Sequence, residues 1–427
     1  MKLKTVAMAL LIALIFSITA MATVPPSYVS IVRPEEWERR DGKSGQDFTF
    51  AFVGDIQSLT YYMDYKTGTN YVDNLFNWIA DNAEEKKIAH VFTLGDLTDR
   101  SAIHDPTLSY GASDPMGNGA TYDAEYEIVK SAISKLDGVL PYSIVRGNHD
   151  SYSIDAFFNY DAYTSNFDGF YREESGRYKD SITNSYRLVE IQGIKFIFFT
   201  IDFNPSRDVI YWMDDLLTTY SDYNAIITMH SYLTFTGDKL TIANVTDIQD
   251  SIVQGQYKGA APDWIWKNCL SKHENVIMTV SGHVGADHPK SSVTIGENGN
   301  KVRNILVDSQ FYDLNVQPTG SVMLMHFYDG GKTIKTEYYA TAFDAYKYGS
   351  NYVWDSGLMI SEIFETTTAS ETSVTTTTAT TKASTSVAVT ADDSAKNGCR
   401  ASLPLASIAI VPTLIGISVT SIRKKED

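Results

Sequence analysis

Between residues 48 and 281 short apolar runs alternate with segments of helical spacing, and that rhythm restricts the fold more than any other feature. The runs are "FTFAFVG" (48–54), "IAHVFTLG" (88–95), "VLPYSIVRG" (139–147), "FIFFTID" (196–202), "AIITMH" (225–230) and "NVIMTVSG" (275–282). Each is rich in β-branched and aromatic residues, and each lacks the polar alternation of a strand with one wet face. Such runs read as strands covered on both faces, hence as a largely parallel sheet. Between them lie "YVDNLFNWIADNAEEKK" (71–87), "YDAEYEIVKSAISKL" (122–136), "SRDVIYWMDDLLTTY" (206–220) and "PDWIWKNCLSKH" (262–273), all with the spacing of amphipathic helices. From 290 to 339 the rhythm changes to strand upon strand, "SSVTIG", "VRNILVD", "SVMLMHFYD" and "TIKTEYY". These are expected to be antiparallel and to supply much of a second sheet.

In open α/β sheets, ligands bind beyond the carboxyl ends of the strands. Those ends read "VGDIQ" (53–57), "LGDLTDR" (94–100), "VRGNHD" (145–150), "TMHSY" (228–232) and "SGHVGADH" (281–288). Five strands thus finish on Asp55, Asp96, Asn148-His149, His230 and His283. Singly, an Asp after a strand caps a helix or shapes a turn, and a lone His is more often structural. Five at equivalent topological positions point to a cation site, because oxygen and imidazole donors suit divalent transition metals and a shared carboxylate can bridge two of them.

The series GD-x-Q, GDLTD, GNHD, H and GH resembles the calcineurin-like metallophosphoesterases, in motif order and spacing over about residues 48–340. The resemblance implies a four-layer α/β/β/α sandwich, two mixed β-sheets flanked by helices, with a dinuclear metal centre among the loops. It implies that Asp96 bridges two divalent ions (Mn, Fe, Zn or Mg), that Asn148, His230 and His283 complete one site, and that Asp55 belongs to the other. His149 is then the general acid or transition-state donor, oriented by Asp150, with a turn and helix cap as the alternative reading of that pair. Arg146 either helps hold phosphate or is a surface residue, and is left outside the site.

Two positions depart from the family pattern. Gln57 and Gly285 stand where many members carry histidines, and both belong to the site that keeps Asp55. Gln57 is expected to ligate through its amide oxygen or to hold a metal-bound water. The first site is therefore expected to be harder and weaker, suited to Mn²⁺, Mg²⁺ or Ca²⁺ over iron, or to stay empty. Asp99 and His288 are possible additional ligands. His90, His104, His273 and His326 read as structural. The aromatic-rich stretch 151–178 is either a substrate-stacking cap or packing for an insertion, and the insertion 233–259 follows His230.

The net charge of −17 argues against a general nucleic-acid-binding face. Residues 1–22, with Lys2 and Lys4 before an apolar run closing on Ala20-Met21-Ala22, read as a secretory signal peptide; the alternative is an uncleaved anchor. Residues 23–45 read as an irregular lead-in and 46–365 as the catalytic domain. The Thr/Ser-rich stretch 366–398 cannot bury a core and reads as a stalk. Residues 401–422 are uncharged, although Pro404 and Pro412 interrupt them, and Arg423, Lys424 and Lys425 follow. This is expected to be a membrane anchor with residues 423–427 as a cytoplasmic tail. Cys269 and Cys399 make no disulfide framework and read as free thiols.

The leading expectation is an extracellular, membrane-tethered phosphoesterase that directs a metal-activated hydroxide at phosphomonoesters or phosphodiesters, with small-molecule or polymer substrates. A mononuclear hydrolase is the alternative enzyme. A catalytically weak surface binding module on the same fold is the alternative outside enzymes, and the retained "GNHD" argues against it.

Overall fold

The computed structural model describes residues 33, 35–60, 70–98, 122–150, 175–179, 181, 183–203, 205–239, 260–310 and 318–360. The chain divides at residue 369 into two units, and all described residues belong to the first. Residues 1–22, 366–398 and 401–427, together with Asp99, His104, Cys399, residues 151–174 and most of 233–259, lie outside the described residues.

The strands in chain order are β1 (Trp37–Glu38), β2 (Phe48–Val53), β3 (Ile88–Thr93), β4 (Tyr142–Ile144), β5 (Ser175–Arg177), β6 (Ser185–Ile191), β7 (Ile194–Ile201) and β8 (Asn224–Met229). They continue with β9 (Val276–Ser281), β10 (Lys290–Ile295), β11 (Lys301–Leu306), β12 (Ser321–Tyr328), β13 (Thr333–Ala340), β14 (Ala345–Lys347) and β15 (Val353–Asp355). The helices are α1 (Tyr71–Asp81), α2 (Tyr122–Ile133), α3 (Arg207–Thr219) and α4 (Pro262–Asn268).

Two mixed sheets result. Sheet I runs β1-β14-β13-β12-β2-β3-β4, with β15 on β13; sheet II runs β10-β11-β9-β8-β7-β6-β5. In sheet I, β2, β3 and β4 are parallel. In sheet II, β7, β8, β9 and β11 are parallel. The antiparallel strands after 290 do not form a sheet of their own. β10 and β11 extend sheet II, while β12 and β13 extend sheet I. The expected single parallel sheet is likewise divided, because the chain passes from one sheet to the other between β4 and β5.

Period-two side-chain alternation explains why both faces of each central strand are apolar. On β2, Phe48, Phe50 and Phe52 face sheet II, and Ala51 and Val53 face the α1/α2 layer. On β7, Phe196 and Phe198 face sheet I, whereas Ile197, Phe199 and Ile201 pack under α3 and α4. The inter-sheet core is aromatic, with Phe50 edge-on to both Phe196 (5.5 Å) and Phe198 (5.4 Å). Each such buried ring contributes about 1.5–3 kcal/mol through removal from water. The order helices, sheet I, sheet II, helices is the four-layer α/β/β/α sandwich that the resemblance implied.

Local details follow from end chemistry. α3 starts where Ser206 Oγ accepts from Val209 N–H, and its buried stripe is Val209, Ile210, Met213 and Leu217. α1 stops at Asp81, short of the 71–87 expected from spacing, because the chain must turn back into β3; Lys87 takes a positive φ of 48° in that turn. β4 is only three residues long, with Val139 exposed ahead of Pro141. In the lead-in, β1 pairs with β14, and Trp37 is completely buried in the inter-sheet core.

Candidate metal centre

The carboxyl ends of the parallel strands from both sheets deliver the polar groups to one place. Asp55 follows β2, Asp96 follows β3, Asn148 and His149 follow β4, His230 follows β8 and His283 follows β9. The loops are held together by backbone contacts: Ile56 and Gln57 N–H both donate to Asp96 O (3.2 and 2.8 Å), and Gly282 N–H donates to His230 O (2.9 Å). Two glycines are required by the closeness of this approach. A Cβ on Gly147 would collide with the Asp96 carboxylate and backbone, and one on Gly282 with Asp55 Oδ1. Asp96 and His283 themselves adopt positive φ, 49° and 71°. Such conformations cost non-glycine residues about 1–3 kcal/mol and collect at functional sites.

The donor set is built around His230. Its Nδ1 lies 2.8 Å from Leu94 O, and since a carbonyl only accepts, Nδ1 carries the proton. In the neutral ring Nε2 is then a lone-pair donor, oriented by that backbone contact in the manner of metal-binding histidines. Around Nε2 stand Asn148 Oδ1 at 3.0 Å, His283 Nδ1 at 3.1 Å and Asp96 Oδ1 at 3.2 Å. Asp96, His230 and His283 offer ligand atoms that all lie within 4.8 Å of one another. A crowd of acceptor atoms facing one another is unfavourable unless a cation sits among them, so these residues fit a divalent metal. Phe203 packs against both imidazoles, at 5.7 and 5.8 Å.

Asp55 and Gln57 are brought to the same place from the other side. His283 N–H donates to Asp55 Oδ2 (2.9 Å), while Asp55 Oδ1 and Gln57 Oε1 are buried without any hydrogen-bond partner. Orphaned buried acceptors of this kind are costly, and two of them beside a carboxylate pair are lone-pair donors that a cation would satisfy. Two residues absent from the expected set join them: Asp308 and Gln310, in the loop after β11. Gln310 Nε2 donates to Asp308 Oδ2 (3.0 Å) and Asp55 Oδ2 (3.3 Å), and Gln57 Nε2 contacts Gln310 Oε1. The missed signal was the Asp that closes "VRNILVD". β11 is parallel to β9, so its carboxyl end lies beside His283, whereas an antiparallel reading sends that end elsewhere.

Electrostatics divide the site in two. Burial works against an ionised Asp96, but His230, His149 and His283 outweigh it and hold its carboxyl well below the usual range. Burial likewise opposes protonation of His230, and Asp96 overcomes it, raising that imidazole. Burial, reinforced by the facing His230, pushes His283 down to about 3, so it stays neutral as a ligand must. On the other side burial raises Asp55 well above its ordinary value, helped by Asp308 and Asp96, and pushes Asp308 up to about 6.

Asp150, expected to orient His149, braces two loops. Its carboxylate accepts from Leu97 N–H (2.6 Å), Thr98 N–H (3.0 Å) and Gly147 N–H (2.7 Å), tying the Asp96 loop to the Asn148 loop. His149 N–H donates to Asp96 Oδ1 (2.9 Å). His149 and His283 are half-buried, while Asp55, Gln57, Asp96, Asn148 and His230 are buried. Arg146 grips Asp202 with two parallel bonds, 2.7 and 2.8 Å, linking the end of β4 in sheet I to the end of β7 in sheet II. His288 lies against Asp287 (2.8 Å) and Lys290 and is not among the converging groups. The remaining described histidines have structural partners: His90 with Ser143, His326 with Thr49 and Glu337, and His273 with Asp214. Cys269 is a free, buried thiol near that last pair.

Residues 48–301 match the family model described as calcineurin-like phosphoesterase. The Bacillus subtilis (strain 168) protein YvnB, itself uncharacterized, is 24% identical over 277 residues, which is 64% of this chain and 18% of YvnB. The chain therefore spans under a fifth of that relative's length. Among solved structures, a purple acid phosphatase from yellow lupin (Lupinus luteus) seeds is similar over 74% of this chain and 54% of its own, with 13% identity and a TM-score of 0.42. GAP50, the anchor in the inner membrane complex of Plasmodium, is similar over 74% of this chain and 90% of its own, with 11% identity and a TM-score of 0.35.

Proposed function

The chain belongs to the calcineurin-like phosphoesterase family, and from that premise we propose that it hydrolyses phosphomonoesters or phosphodiesters with divalent cations held at the strand ends. The carrying observation is the convergence of Asp96 Oδ1, Asn148 Oδ1 and His283 Nδ1 on His230 Nε2, all within 3.2 Å. Bound cations would supply Lewis acidity to a phosphoryl oxygen and lower the pKa of water to near neutrality.

The residues supply position and proton control. Asp96 is fixed by His149 N–H and kept anionic by the imidazoles about it, so it is ready to bridge cations without prior deprotonation. Asn148 adds a neutral oxygen, which leaves the loaded site with enough positive charge to attract phosphate. The side chain of His149 is half-buried, and its role is to donate to a phosphoryl or leaving oxygen. Asp150, by joining the Leu97-Thr98 and Gly147 amides, keeps the Asn148-His149 loop in register with Asp96.

The reading extends to location on the extracellular face of the membrane, supported by the N-terminal apolar run and by residues 401–422 with their basic flank. Both segments lie outside the described residues, among which no helix is long and apolar enough to cross a membrane.

The test is turnover of nitrophenyl phosphate and bis-nitrophenyl phosphate by the purified chain with Mn²⁺, Fe²⁺ or Zn²⁺, before and after chelation. Metal-dependent turnover is expected, with His149→Ala lowering kcat by roughly 10²–10⁴-fold while bound metal is unchanged. No metal-dependent turnover, or an unaltered rate in His149→Ala, overturns the catalytic assignment.

A further inference from the structure

The geometry points to Asp308 and Gln310 as ligands that, together with Asp55 and Gln57, complete a second cation site made of oxygen donors, replacing the imidazoles absent at Gln57 and Gly285. The inference rests on the phosphoesterase reading for its setting and adds to it the make-up and metal preference of one site. Three observations carry it.

First, the two carboxylates converge. Gln310 Nε2 lies 3.0 Å from Asp308 Oδ2 and 3.3 Å from Asp55 Oδ2, so one small group already reaches both. Asp308 is 1% exposed and Asp55 1% exposed, and neither is paired with a Lys or Arg side chain among the described residues. Two buried carboxylates linked by one neutral amide and facing no Lys or Arg are under-compensated when both are ionised, and a divalent cation between them corrects this. Second, the pair has unused acceptors: Asp55 Oδ1 and Gln57 Oε1, both buried, have no hydrogen-bond partner. Third, the loop is built to hold Asp308 still. Gln310 N–H donates to Asp308 Oδ1 (2.8 Å), Ala286 N–H to Asp308 O (2.8 Å), and Gly54 fits closely beneath Val307 and Asp308.

The donor chemistry fixes the preference. Carboxylate and amide oxygens are hard donors, matched to Mn²⁺, Mg²⁺ or Ca²⁺, whereas the imidazoles of His230 and His283 favour Zn²⁺ or Fe²⁺ on the other side of Asp96. A half-turn of the Gln310 amide exchanges its N–H end for its carbonyl oxygen, so the residue that links the carboxylates without a cation can also ligate one.

Ion binding is measured independently of turnover, by equilibrium dialysis of the full chain against Mn²⁺ or Zn²⁺ with elemental analysis. Wild type is expected to hold two Mn²⁺ per chain. Asp308→Asn is expected to weaken one of them by at least about 10-fold while the other is retained. Gln57→His, which returns an imidazole to the site, is expected to raise the affinity of that site for Zn²⁺ relative to Mn²⁺. It provides the test if Asp308→Asn does not fold. A single Mn²⁺ in wild type, two ions held with unchanged affinity in Asp308→Asn, or no change in metal preference in Gln57→His each overturns the assignment. Two ions bound without phosphoester turnover would overturn the catalytic reading and leave this site standing.

Discussion

Glu337 on β13 is completely buried, and the protein surrounds it with donors: Arg40 Nη1 at 2.7 Å, Lys43 N–H at 2.8 Å and His326 Nε2 at 3.3 Å. Burial alone would raise its carboxyl, but these partners overcome that and hold it down at about 2. Asp55 and Asp308 are buried as deeply, yet their partners are an amide, backbone N–H groups and other carboxylates, and both are pushed up. Where the fold means a carboxylate to be structural it brings the counter-charge itself. At the strand ends it leaves the counter-charge to come from solution, and that difference separates a brace from a binding site.

The same chemical change should therefore act in opposite directions in the two regions. Glu337→Gln leaves Arg40 and Lys43 beside a neutral group, and breaking a buried pair in this way costs roughly 3–5 kcal/mol. Arg40 and Lys43 retain some solvent, so the lower end is expected. Asp308→Asn in chelated protein removes the cost of burying an ionised carboxylate, and at about 1.4 kcal/mol per unit of pKa the gain is on the order of 1–3 kcal/mol near pH 7. Urea denaturation of both variants in EDTA measures this. Loss of stability in both would erase the distinction drawn between the regions.

pH separates the two sets without mutation. Glu337 has a depressed pKa, so its stabilisation is present above its ordinary value of 4.5 and is lost as pH falls toward about 2. Asp308 has a raised pKa, so its contribution is present below its ordinary value of 3.8 and is lost as pH rises through about 6, and Asp150 behaves likewise. Chelated protein should therefore lose Tm as pH rises from 4 to 6, by up to a few kcal/mol in free energy, an order-of-magnitude ceiling. Saturating Mn²⁺ should remove the share of the decline that belongs to Asp308, because the cation binds the ionised form, and leave the share of Asp150, whose carboxylate is held by backbone N–H groups. A decline of unchanged size with Mn²⁺ present would place its origin in groups away from the cation sites.

These contrasts also show which parts of the molecule were legible in the sequence. Asp55, Asp96, Asn148, His230 and His283 were readable because each ends an apolar run, and the carboxyl end of a parallel strand is where a ligand can be met. Asp308 ends such a run too, but the strands around it are antiparallel, and only the pairing of β11 with β9 shows that its end points to the site. Strand direction is a tertiary fact that hydrophobic periodicity does not carry. Asp150 was readable as part of the site, but its hold on three backbone N–H groups from two loops was not, since such contacts are invisible in a sequence. Trp37 lay in a polar stretch, and its burial depends on β14, some three hundred residues away.

Arg146 and Asp202 form an intermediate case that sharpens the comparison. Asp202 is buried near the strand ends like Asp308 but has its own cation, and it also accepts from Thr183 Oγ1 (2.9 Å). Arg146→Lys keeps the charge and removes the parallel pair of bonds, so the expected loss is small, about 0.5–1.5 kcal/mol, because one hydrogen bond is exchanged for hydration. A double-mutant cycle with Asp202→Asn should return a coupling of about 1 kcal/mol. The pair joins the end of β4 to the end of β7, one from each sheet, so loosening it should disturb the Asn148 loop before it disturbs global stability. The measurable sign is a weaker affinity for Mn²⁺ in Arg146→Lys with nearly unchanged Tm. Equal losses in Tm and affinity would show that the pair supports the whole sandwich rather than the alignment of the metal-binding loops.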